Sequence, residues 1–65
     1  MEYTNSQIRE LIIEHIHSDR DRMILCSRLI DGITIEKLGE MYDLSPRQIK
    51  NILYKNEKIL FSKLP

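Results

Sequence analysis

Residues 35–53 read IEKLGEMYDLSPRQIKNIL, and this stretch decides the fold. Ile35, Leu38, Gly39 and Tyr42 recur at the helical period, which predicts a short helix over Ile35–Tyr42 with one buried side. Asp43 sits in the turn that follows, where glycine is usual; aspartate tolerates the left-handed region better than most residues. Ser45-Pro46-Arg47-Gln48 is a second helix start. The serine caps, the proline takes the first helical position, and the glutamine three residues after the serine closes a capping box. A helix from Pro46 to about Leu60 follows. Two amphipathic helices around so tight a turn make a helix-turn-helix, which places its second helix in the major groove of DNA.

At about 100° per residue, Ile49, Ile52, Leu53 and Leu60 fall on one side of that second helix, and Arg47, Lys50, Asn51, Tyr54 and Lys58 on the other. The greasy stripe should hold the helix to the body of the domain and the polar stripe should face out. Its residue types suit a duplex. Arg47 and Lys50 reach guanine or phosphate, Asn51 pairs bidentately with adenine, and Tyr54 bonds a phosphate or touches a thymine methyl. Lys55 adds charge, Pro46 opens the helix, and Ser45 with the free N–H groups at the helix start can hold a phosphate. A plain solvated face explains such a stripe on an isolated helix. The preceding helix and turn favour the groove reading. Gly39, ten residues before Ile49, fits a close approach of the two helices, since glycine costs about 1 kcal/mol in a helix interior without such a reason.

The rest of the chain supplies two more helices. One runs from about Ser6 to His17, capped by Thr4 or Asn5, with Ile8, Leu11, Ile12, His15 and Ile16 on its apolar side. The next starts at Ser18-Asp19 and reaches about Ile30, with Met23, Ile24, Ser27 and Ile30 on one stripe and Gly32 placed to end it. Thr34 caps the helix that starts at Ile35, with Glu36 in its first turn, and can brace against the phosphate backbone together with the second helix. Met23 and Met41 are assigned to the core. The expected architecture is all-α: one four-helix helix-turn-helix domain over residues 1–65, its motif covering about 34–60.

Net charge is zero, but it is unevenly placed. Residues 1–43 carry five basic against nine acidic side chains; residues 44–65 carry Arg47, Lys50, Lys55, Lys58 and Lys63 against Glu57 alone. Positive charge gathered on the C-terminal helix is the footprint of a nucleic-acid binder. The single cysteine, Cys26, excludes an intrachain disulfide, suits a reducing cytoplasm, and reads as a small buried residue. The longest apolar runs are three residues, so no membrane span is expected. His15 and His17, two apart, do not share a helix face and make no metal pair. No paired carboxylates, phosphate loop or nucleophile arrangement occurs, so neither an enzyme, a cofactor nor a small-molecule substrate is expected. Ile13 with Ile59, Leu60, Phe61 and Leu64 could form a seam for a homodimer that reads two half-sites.

From Arg20 to Leu60 the chain resembles region 4 of the sigma-70 family of RNA polymerase sigma factors. The shared pattern is an Arg-rich helix, a Gly-Thr-type break at Gly32 and Thr34, the Glu-x-Leu-Gly helix, then Leu44-Ser45 and a basic helix. The resemblance extends to small phage or mobile-element regulators. It implies a four-helix domain whose helix from Ser45 reads a promoter element, with Pro46, Arg47, Lys50 and Asn51 toward the bases, and a possible contact with RNA polymerase. The family usually has Arg or Glu at the places of Pro46 and Arg47, so promoter preference does not transfer. The chain has no room for the domain that opens the promoter, so a complete sigma factor is not expected. The expected function is therefore a cytoplasmic, sequence-specific transcription regulator. The alternatives are a protein-interaction module docking on RNA polymerase or another partner, and a DNA-packaging recognition subunit.

Overall fold

The computed structural model describes residues 3–63, and these form four helices and no strand: α1 (Asn5–His15), α2 (Asp19–Leu29), α3 (Ile35–Tyr42) and α4 (Pro46–Ser62). A hydroxyl caps each one. The side-chain oxygens of Thr4, Ser18, Thr34 and Ser45 accept from the backbone N–H groups of Gln7, Asp21, Lys37 and Gln48 at 3.1–3.3 Å. At Thr4 and Ser45 the glutamine side chain returns the bond to the cap's own N–H at 2.8 Å, closing two capping boxes. Thr4, not Asn5, is therefore the first cap. Each cap contributes about 1 kcal/mol to helix stability.

Helix ends depart from the periodic pattern by one or two residues. α1 stops at His15 rather than His17, because Ile16 turns extended and drops its side chain into the core. Arg22 holds that end. Its guanidinium donates from Nε to the Ile16 carbonyl and from Nη2 to the Ile13 carbonyl at 2.7 Å, satisfying C-terminal carbonyls that the helix itself leaves unpaired. α2 stops at Leu29, and Gly32 takes a positive φ of 71° two residues beyond its cap, Ile30. α4 runs to Ser62, past Leu60.

The core is Ile12, Ile16, Ile24, Leu25, Leu38, Ile49, Leu53 and Leu60. α4 packs against all three other helices and α2 does the same, so these two carry most of the burial. The α2 stripe is corrected. Its fully buried pair is Ile24 and Leu25, Ser27 and Ile30 are half-buried, and Met23 is 57% exposed. A helix enclosed by three neighbours buries an arc set by all of them rather than by its most apolar period. Met41, also assigned to the core, is 49% exposed, because α3 is short and buries only Leu38 and Gly39 fully, leaving Ile35 and Tyr42 half-buried. Cys26 is half-buried rather than buried. No helix among the described residues is long and apolar enough to cross a membrane.

The turn between α3 and α4 is built on Gly39. Asp43 takes the left-handed conformation (φ 54°, ψ 46°), and the N–H groups of Asp43 and Leu44 both donate to the Gly39 carbonyl. A Cβ on Gly39 would lie 2.6 Å from the Leu44 carbonyl oxygen. The small residue is therefore required by the backbone of the turn, not by two helices crossing. Gly39→Ala should lower stability by about 1–3 kcal/mol, because overpacking against backbone outweighs the gain in helix propensity. A urea midpoint equal to or above that of the parent would show that the turn has room for a methyl.

Candidate nucleic-acid interface

α4 is amphipathic because its apolar residues recur at 49, 52, 53 and 60. Ile49, Leu53 and Leu60 are buried and Ile52 is half-buried, and this sets, to within the width of the stripe, which side faces out. Arg47, Lys50, Asn51, Tyr54, Lys55 and Lys58 are all exposed, as are Thr34, Ser45 and Pro46. On the helix wheel Arg47, Lys50, Asn51, Tyr54 and Lys58 lie within an arc of about 100°, with Lys55 about 40° beyond it. Five of the expected residues are thus brought together along one face, with Ser45 and Pro46 at the start of the helix and Thr34 on the neighbouring α2–α3 connection.

The face is partly ordered by its own contacts. Lys58 Nζ lies 4.7 Å from the centroid of the Tyr54 ring, a cation–π geometry that orients both side chains. Among the described residues the ion pairs lie within α1, α2 and α3, and none involves a lysine or arginine of α4. Those charges are therefore not neutralised by a carboxylate among the described residues. An open groove of about 360 Å³ borders the face, lined by Arg28, Ile35, Lys50, Leu53, Tyr54 and Glu57.

Two expectations are narrowed. Several free N–H groups were expected at the start of α4. The capping box binds those of Ser45 and Gln48, Ile49 donates to the Ser45 carbonyl, and Pro46 has none. The Arg47 N–H is what remains in this turn, beside the hydroxyl hydrogen of Ser45. The Arg-rich second helix is also less available than expected as a brace. Arg22 is committed to the end of α1, and Arg28 Nη1 donates to the Ile33 carbonyl at 3.1 Å. Arg20 is more exposed but pairs with Asp21.

The apolar seam for a second copy loses members as well. Leu60 is buried, Ile59 is half-buried, Ile13 and Phe61 are exposed, and Leu64 lies outside the described residues. His15 is half-buried beside Glu14, and His17 is exposed. Among the described residues no three His, Cys, Asp or Glu side chains are grouped to hold a metal ion.

Three residues beside or beneath this face are not singled out from the sequence: Arg28 and Glu57 line the groove, and Asn56 lies on the opposite, buried side of α4. Asn56 is 3% exposed and donates from Nδ2 to Asp21 Oδ2 at 3.1 Å and to the Ile52 carbonyl at 2.8 Å. A signal for it exists. Position 56 is seven residues after Ile49 and four before Leu60, in the middle of the apolar stripe. Comparison with protein-family models, curated proteins and solved structures gives no significant match for the chain.

Proposed function

We propose that this chain is a sequence-specific duplex-DNA-binding protein that regulates transcription, with α4 laid in the major groove as the second helix of a helix-turn-helix. The observation that carries the reading is the two-sidedness of α4. Its apolar side is clamped to α1, α2 and α3, while Arg47, Lys50, Asn51, Tyr54 and Lys58 project together from the other. In this reading Arg47 and Lys50 donate to guanine O6 and N7 or to phosphate, and Asn51 pairs with adenine. Tyr54 and Lys58, already stacked on each other, meet the backbone. Thr34, Ser45 and the Arg47 N–H fix register on phosphates, and Pro46 presents the start of the helix. Lys55 and Lys58 add sequence-independent attraction. The resemblance to sigma region 4 supports the same use of the helix and carries a cytoplasmic location with it.

Arg47→Ala and Lys50→Ala should each weaken binding to a selected duplex by about 1–3 kcal/mol without changing the unfolding midpoint, since both side chains are exposed. Selection from random duplexes followed by gel-shift titration measures this. Unchanged affinity in both variants would remove the case for the face. A second reading is a protein-interaction module that docks on RNA polymerase or another partner. It is favoured by the excess of acidic side chains over residues 1–43 and by the exposed Ile13, Met23 and Met41.

A further inference from the structure

Asn56 is the one buried polar side chain in a core otherwise built of isoleucine and leucine, counting the described residues. Its amide group uses both N–H donors, one to the Ile52 carbonyl in its own helix and one to Asp21 at the start of α2. Asp21 is itself largely covered, its side chain 13% exposed, and its other oxygen accepts from Arg20 Nε at 3.3 Å. Hydrophobic burial is non-directional. The stripe of Ile49, Ile52, Leu53 and Leu60 therefore holds α4 to the body without setting its rotation sharply. A buried hydrogen-bonded group is satisfied in one rotation and one register, which is the best-attested use of a single polar residue in an apolar helix seam.

We propose that the Asp21–Asn56 bond is a positioning device that sets the rotation of α4, and with it the side chains offered to a duplex. Asn56 sits opposite Arg47, Tyr54 and Lys58, which fall within about 20° of the far side of the helix. Rotation in one sense would carry Glu57, the acid of α4, toward the middle of the cationic face and move Asn51 out of it. The specificity half of this inference rests on the duplex-binding reading; the structural half does not.

The test replaces both partners, because a single replacement would strand the other. Asp21→Leu with Asn56→Leu exchanges a buried polar pair for apolar groups, a change that is close to neutral for stability when shapes are kept. The double variant should unfold at a urea concentration no lower than the parent. Its α4 amide resonances should be doubled or broadened, and its preference for a selected duplex over random duplex should fall at least tenfold. Asp21→Asn, which keeps an acceptor for Asn56, should retain one set of resonances and the parental preference.

A double variant with one set of α4 resonances and the parental α2–α4 nuclear Overhauser contacts overturns the inference, as does a preference within twofold of the parent. A double variant that simply unfolds makes the bond a stabilising one and overturns it too. Asp21→Asn behaving like the double variant overturns the hydrogen bond as the cause. If the parent selects no duplex, the functional reading fails and the resonances alone decide this one.

Discussion

Leu38→Ala should leave a large fraction of the chain unfolded at physiological temperature. Leu38 is fully buried in α3, the short helix that holds the turn to α4. Truncating a buried leucine to alanine removes transfer free energy and leaves a cavity, together about 2–5 kcal/mol. A domain of 65 residues has roughly 3–10 kcal/mol of stability in all. The loss is therefore comparable to the total. Met41→Ala is the control: it lies three residues away on the same helix but is exposed, so its effect should stay within about 0.5 kcal/mol. Urea titrations of both variants separate the two positions. Similar midpoints would mean that α3 is not anchored through Leu38.

Duplex affinity should fall steeply as salt rises. If Arg47, Lys50, Lys55 and Lys58 each neutralise a phosphate, the slope of log affinity against log salt is about −3.6, and raising salt from about 50 to 200 mM costs roughly 150-fold. The absence of ion pairs on the α4 cations among the described residues is why all four are counted; a pre-paired lysine would contribute less. Fluorescence anisotropy with a labelled duplex across that range gives the slope directly. A slope near zero would favour the interaction-module reading over groove insertion.

What could be read from the chain beforehand was local chemistry. The bounds of α3 and the start of α4 follow from Thr34, Ser45, Pro46 and Gln48, whose effects act within one turn of helix. The left-handed Asp43 and the outward side of α4 follow from equally short-range rules. What escaped depends on neighbours distant in sequence. Arg22 looks like a surface cation until its contact with the end of α1, nine residues back, gives it a structural task. Met23 and Met41 look like core until the arcs used by adjacent helices are known. Asn56 reads as one more polar residue until a carboxylate 35 positions earlier is found to accept from it. Gly39 reads correctly as a position that needs a small residue, but the group it accommodates is the Leu44 carbonyl rather than a crossing helix.

The charge placement has a kinetic consequence. A molecule with no net charge, about 33 Å in its longest dimension, carries along one helix cations that form no ion pair among the described residues and most of its carboxylates on the other three helices, so its charge is unevenly distributed. Near a polyanion such a body feels a torque before it feels a net pull, so it turns its cationic helix forward during the encounter. At physiological ionic strength the field is screened over about 8 Å. Reorientation is therefore confined to about that distance, where, if the protein binds a duplex as proposed, it would shorten the search for the docking pose.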